Sequence, residues 1–216
     1  MSLWVIIPVK PFVRAKSRLS EVLSPEERSK LAEGLLRHVL RVVQQVPQVA
    51  GSLVISRDSR AHAVARELGA YTVMESGTPE LNTALMRATQ VVASWKGAAV
   101  LILPADLPLI EPEDLMAMID LGRNRNTVVV ATDDEEDGTN AMLVRPPGLI
   151  RYSYGAGSYA RHIAAAEAAG AAVRRYHSPR LALDIDLPED LERYLRLNGN
   201  RTSESLYLAT PDNPAG

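Results

Sequence analysis

The sequence predicts a single α/β domain built on a mostly parallel sheet flanked by helices, and three observations point there. Short apolar runs alternate with longer amphipathic stretches, the order expected when each strand is followed by a helix that crosses back over the sheet. A chain of 216 residues can bury a sizeable core without dividing, and neither an internal repeat nor an interdomain linker interrupts it. With 46% hydrophobic and 23% charged residues, the composition is that of a globular chain and not of a disordered or fibrous one.

The elements follow in order. Leu3–Val9 is apolar and closed by Lys10, so it reads as a buried first strand, too short for a signal-peptide core or a membrane span. Pro25–Val46 is amphipathic and opens on Ser24, Pro25 and Glu27, a capping box with proline at the first helical position. Ser52–Ser56, Ala61–Leu68 and Tyr71–Met74 then give strand, helix and strand. Pro79–Trp95 gives a helix whose start is set by a second cap-plus-proline pair, Thr78-Pro79. The run Ala98–Leu103, ended by Pro104, predicts a central strand. Beyond it come a helix near Glu113–Leu121, strands at Thr127–Ala131 and Ala141–Arg145, a helix near Tyr159–Ala169, a strand at Ala172–Tyr176 and a last helix after Pro188. Residues 199–216 are rich in Asn, Ser, Thr, Pro and Gly without periodicity, and are expected to form a flexible tail or crossing arm beyond a domain of residues 1–198.

Charge and cysteine usage narrow the functional classes. A formal net charge of -2 gives no basic excess for a polynucleotide partner, and no membrane partner is expected. The absence of cysteine excludes disulfides, thiolate metal sites and a cysteine nucleophile, and is compatible with a reducing cytoplasm.

In open α/β sheets ligands bind beyond the carboxyl ends of the strands, so the residues just after each apolar run are the first candidates. After the first strand, Lys10, Arg14, Lys16 and Arg18 place four cations in one loop, the charge a triphosphate needs; a solvated basic surface is the alternative. Neither a P-loop nor a G-x-G-x-x-G pattern is present, so phosphate would be held mainly by side chains. After the central strand stands Asp106, which suits either a metal ligand or a turn or helix cap. Asp184-Ile185-Asp186 supplies two more carboxylates on one face of an extended segment, unless Asp186 merely caps the helix at Pro188. Three hard-oxygen ligands suit magnesium, which keeps several waters and takes few carboxylates. Gly155 and Ser158, at a helix start, suit an anion, with Ser158 as a plain N-cap the alternative. His162 lies on the same helix face but has no evident partner, and the acidic run Asp133–Asp137 reads as a solvated loop outside the site.

These segments together resemble the guanylyltransferases of deazaflavin coenzyme (F-420) biosynthesis, which use 2-phospholactate or phosphoenolpyruvate as acceptor. The likeness runs from Leu3 to about Leu195. It rests on Ile7-Pro8-Val9-Lys10 with Ala15–Leu19, Val54–Asp58, Leu81–Leu85, Pro104–Pro108, Gly138–Ala141, Gly155–Ser158 with His162, and Asp184–Pro188. The resemblance implies a Rossmann-like nucleotidyltransferase fold of the nucleotide-diphospho-sugar transferase type. It also implies a Mg2+ site at Asp106, Asp184 and Asp186, a triphosphate facing Lys10, Lys16 and Arg18, and an acceptor acid near Thr139, Asn140, Gly155 and Ser158. The guanosine pocket would fall around Ser56 and Asp58 and around Leu81 and Asn82. GTP and a small phosphorylated acid are the expected partners, phosphoenolpyruvate is favoured as acceptor, and a homodimer is compatible. Other classes stay open: another nucleotidyltransferase, a glycosyltransferase reading Asp184-Ile185-Asp186 as its D-x-D, or a nucleotide-binding protein without turnover.

Overall fold

The computed structural model describes residues 2–77 and 80–197, so the expected tail over 199–216 and the Thr78-Pro79 helix start lie outside it. The described residues form strands β1 (Leu3–Val9), β2 (Val49–Ser56), β3 (Tyr71–Met74), β4 (Ala99–Ile102), β5 (Thr127–Thr132), β6 (Thr139–Arg145) and β7 (Ala172–Tyr176). The helices among them are α1 (Pro25–Gln44), α2 (Ser59–Glu67), α3 (Leu81–Ser94), α4 (Pro112–Leu121), α5 (Ser158–Ala168), α6 (Pro179–Ala182) and α7 (Pro188–Leu197). No helix among the described residues is long and apolar enough to cross a membrane.

The strands make one sheet in the order β3-β2-β1-β4-β6-β5-β7. β1 pairs in parallel with β2 and β4, β2 with β3, and β5 with β7. β6 runs antiparallel between β4 and β5, which the apolar pattern alone did not anticipate. All seven of its residues are buried, so it has no polar face to mark it off from its parallel neighbours. Its reversal brings Thr139 and Asn140, at its beginning, to the edge where β1, β4 and β5 end.

Successive strand residues alternate between two cores. Val5, Ile7, Leu101 and Val129 pack with α1, α2 and α4 on one face, while Ile6, Val100, Ile102 and Val128 pack with α3 and α5 on the other. Each fully buried aliphatic side chain contributes about 1.5–3 kcal/mol.

The helix ends are set locally. Ser24 and Glu27 form the expected capping box at α1. α3 begins at Leu81, later than expected, because the Glu80 carboxylate accepts from the amides of Asn82 (2.9 Å) and Thr83 (2.6 Å) and serves as its cap. α6, a single turn the sequence reading missed, is tied to α4 through Asp114. That buried carboxylate accepts from Ser178 Oγ (2.6 Å), Arg180 Nε (2.7 Å) and Tyr176 Oη (3.2 Å). At the edge opposite the strand ends, Trp4, Tyr71 and Trp95 stack with ring centroids 4.8–5.4 Å apart.

Candidate active site

The basic loop and the acidic segment meet because both are pinned to one small core. Leu19, from the loop, and Ile185, from the segment, pack with Leu23, Leu31, Leu35 and Leu191, each of the first two fully buried. Ile185 pointing into that core sends its neighbours Asp184 and Asp186 to the other side. The Ile185 amide also donates to the Asp106 carbonyl (3.2 Å), which fixes the segment against the loop after β4.

Asp106, Asp184 and Asp186 each offer a carboxylate oxygen, and these oxygens lie within 4.8 Å of one another. Lys16 joins them: its Nζ donates to Asp106 Oδ2 (2.8 Å) and Asp186 Oδ1 (3.0 Å). Burial alone would lower the Lys16 pKa, but Asp106 and Asp186 more than offset it, and the ammonium sits above its ordinary range. Burial likewise works to raise Asp106, yet Lys16 beside it holds that carboxyl below the usual value. Asp184 has no such partner: burial, then repulsion from Asp106 and Asp186, pushes it up to about 7. This half-buried three-carboxylate group holds the Lys16 ammonium and has the exposed Arg18 guanidinium 3.9 Å from Asp186; Asp184 meets neither, and the hard oxygen donors fit a divalent cation.

A second cluster stands across the cavity at the start of β6. The Ser153 amide donates to His162 Nε2 (2.9 Å), so in the neutral ring the proton is on Nδ1, which donates to Thr139 Oγ1 (2.9 Å). His162 is fully buried; burial, then the nearby Arg161 charge, pushes its pKa down to about 4, which keeps it neutral. Ser158 Oγ also donates to Thr139 Oγ1 (3.2 Å). With two bonds accepted, the Thr139 hydroxyl keeps its own proton for a further partner. His162, expected to lack a partner, therefore has two; the reason it was missed is that Thr139 is 23 residues away.

The loop before α5 is held from outside. Arg161 donates through Nε to Ser153 Oγ (2.8 Å) and through its terminal nitrogens to the carbonyls of Ser153, Gly155 and Ala156. Gly155, at φ 119°, takes a backbone conformation that side-chain-bearing residues avoid. The helix cap here is Gly157, not Ser158, whose hydroxyl is turned inward to Thr139.

The three aspartates, Lys16, Thr139, Gly155 and Ser158 face one cavity of about 770 Å3, within the range of small-ligand sites. Of the expected site residues, Lys10, Lys16, Arg18, Leu81, Asp106, Thr139, Asn140, Gly155, Ser158, Asp184 and Asp186 line it. Ser56, Asp58 and Asn82 are not in its wall. The Ser56 hydroxyl is buried and accepts from the Asp58 amide, while the Asp58 carboxylate accepts from the amides of Arg60 (2.9 Å) and Phe12 (2.7 Å). Arg57, between them, takes the wall position. Asn82 Oδ1 accepts from the Tyr154 amide (2.7 Å) and so braces the wall from behind. Asn140 donates to the Leu181 carbonyl (2.8 Å), which anchors α6 ahead of the acidic segment.

In the acidic run, residues 134–137 are exposed, as a solvated loop requires, but Asp133 and Asp137 also line the cavity. Their oxygens accept backbone amides: Asp133 those of Asp137 and Gly138, Asp137 that of Gly157. A side chain at Gly138 would come within 2.6 Å of Asp133 Oδ2, so a substitution here must displace that carboxylate from the amides it accepts.

A sheet of this order, with acidic and basic groups converging beyond its strand ends, belongs to the α/β folds that bind a ligand at that edge. A structure from Desulfovibrio desulfuricans, described as a nucleotide-diphospho-sugar transferase, superposes with a TM-score of 0.76 over 95% of this chain and 94% of that one; at 16% identity the likeness shows the fold. The family model for CofC-like guanylyl transferases matches residues 3–210. The phosphoenolpyruvate guanylyltransferase of Rubrobacter xylanophilus is 41% identical over 89% of this chain and 93% of its own length. The 2-phospho-L-lactate guanylyltransferase of Methanobrevibacter ruminantium is 32% identical over 95% and 90%. The chain belongs to the CofC-like guanylyl transferase family.

Proposed function

We propose that this chain transfers GMP from GTP to the phosphate of a three-carbon acid within coenzyme F-420 biosynthesis, with phosphoenolpyruvate as first choice and 2-phospho-L-lactate as the alternative. The observation that carries the reading is that Asp106, Asp184 and Asp186 share one cavity with Lys10, Lys16 and Arg18 on one side and Thr139 and Ser158 on the other. The names and identities of the relatives support the guanosine nucleotide and favour phosphoenolpyruvate.

An acceptor phosphate oxygen attacks the α-phosphorus of GTP, the bond from that phosphorus to the β-bridging oxygen breaks, and pyrophosphate leaves. The acceptor phosphate is already anionic near neutral pH, so no protein nucleophile or strong base is required. What the protein supplies is alignment and charge compensation. Asp106, Asp184 and Asp186 would hold Mg2+, which when bound neutralises phosphate charge and polarises the reacting phosphoryl group. Lys10, Lys16 and Arg18 face the triphosphate and accept the charge of the departing pyrophosphate. Thr139 directs its free hydroxyl proton to the acceptor acid, beside the Gly155–Ser158 turn, and Asn140 supports that wall through α6. Leu81 and Arg57 line the guanosine end, with Asn82 behind them.

Pyrophosphate release from GTP with magnesium, measured with phosphoenolpyruvate, 2-phospho-L-lactate and 3-phosphoglycerate in turn and with ATP and CTP as controls, tests the reading. Release that depends on GTP and one acid supports it and names the acceptor. Absence of release with every acid rejects it.

A further inference from the structure

Lys16 occupies a position that a triphosphate-binding lysine has no need to take. Its Nζ bridges two members of the three-carboxylate group at 2.8 and 3.0 Å, and its side chain is only 7% exposed. A divalent ion held by those carboxylates would sit about 2.0–2.1 Å from its ligand oxygens, so ion and ammonium compete for the same oxygens and the same small volume.

We infer that Lys16 is an exchangeable resident cation: it fills the metal position of the carboxylate group until a triphosphate draws it away, so that metal and nucleotide enter the site together. The inference rests on the metal reading of Asp106, Asp184 and Asp186.

Three further features support an exchange over a fixed ion pair. Lys16 has φ 53° and ψ 37°, the left-handed region that a side-chain-bearing residue enters only when its surroundings hold it there. The hold comes from the turn that follows, where the Leu19 amide donates to the Lys16 carbonyl (3.0 Å) and Leu19 is anchored in the core shared with Ile185. A turn of the Lys16 backbone back to an ordinary conformation would release local strain while moving the ammonium. Second, an alternative anion has somewhere to bind: Lys10, Arg14 and Arg18 line the same cavity and would bring a polyphosphate within reach of the lysine. Third, the ion pairing is uneven. Lys16 bonds Asp106 and Asp186, and Arg18 lies 3.9 Å from Asp186, but neither cation reaches Asp184, whereas an ion held among the three carboxylates would meet them all.

The consequence is measurable without turnover. If the lysine-filled arrangement makes up about nine-tenths of the population, it weakens the apparent affinity for a free divalent ion about tenfold. The test titrates the full chain with Mn2+ alone in mildly alkaline buffer, following free Mn2+ by electron paramagnetic resonance, for wild type, K16M, K16G and D184N. K16G covers any folding loss in K16M, because glycine takes φ 53° without strain. Both Lys16 variants are expected to bind Mn2+ about tenfold tighter than wild type, and to bind a non-hydrolysable GTP analogue more weakly when no metal is added. Unchanged or weaker Mn2+ binding in both, with loss in D184N, overturns the exchange and leaves the metal site standing. Equal Mn2+ binding in wild type and D184N overturns the metal assignment and the exchange with it.

Discussion

The buried Asp114 and the half-buried group of Asp106, Asp184 and Asp186 differ in what their oxygens meet. Asp114 has every direction filled: Tyr176, Ser178, Arg180 and the Glu111 amide all donate to it. Burial works to raise its pKa, but Arg180 and Ser178 more than offset that and hold it below the ordinary carboxylate value. Asp106, Asp184 and Asp186 meet one ammonium and, at 3.9 Å from Asp186, the exposed Arg18 guanidinium; Asp184 meets neither and is pushed up to about 7. A satisfied carboxylate ties elements together, while an unsatisfied group keeps binding capacity for something else.

The largest expected effect separates the two clusters by function. Asp106→Asn should lower turnover about 10^3-fold, since charge compensation at a reacting phosphoryl group is worth several kcal/mol, with little change in the unfolding midpoint. A variant that kept wild-type turnover in the pyrophosphate assay would erase the distinction from the catalytic side.

Asp114→Asn should do the reverse, costing about 1–3 kcal/mol of stability by weakening the bonds that Ser178, Tyr176 and the partly exposed Arg180 make to a buried carboxylate, while kcat/KM stays within about threefold once the protein is folded. The pH dependence follows from the depressed pKa. The stabilisation from ionised Asp114 is full above the ordinary carboxylate value of 3.8 and is lost as the pH falls below it, through the folded value. Urea denaturation of wild type and variant should therefore differ at neutral pH and converge in acid. A constant difference across that range would mean that packing, and not charge, supplies the stabilisation.

Smaller effects sharpen the picture on the acceptor wall. Thr139→Val removes the hydroxyl that His162 and Ser158 orient, and should raise KM for the phosphorylated acid about tenfold, the loss of roughly one hydrogen bond to a charged group. KM for GTP should stay within twofold on the same footing; a change confined to GTP would move Thr139 to the nucleotide end. Arg161→Ala acts only through the loop it braces, and a rise of about threefold in the acid's KM is expected from steady-state kinetics.

Much of this was legible because the informative residues follow apolar runs. Lys10 and Asp106 could be placed from the ends of β1 and β4, and the pair Asp184 and Asp186 from its period of two around Ile185. What escaped was information that a strand or loop does not carry locally. β6 is buried on both faces, so nothing in its pattern marks its reversed direction. Ser56 and Asp58 sit at a strand end like the true wall residues, but their side chains cap and brace backbone amides beneath the wall. His162 looked unpartnered, and the cavity-facing positions of Asp133 and Asp137 went unseen, because their partners are backbone amides and a hydroxyl that only the folded loops bring near.

The aromatic stack at the far edge of the sheet has a practical corollary. The chain has two tryptophans, and both belong to that stack, at the beginning of β1 and just past the end of α3. The cavity lies at the other ends of those same two elements. Intrinsic fluorescence should therefore report the loss of tertiary structure and stay nearly silent when ligands bind. One optical signal can then follow the unfolding of every variant above without confusing a vacated site with a damaged scaffold.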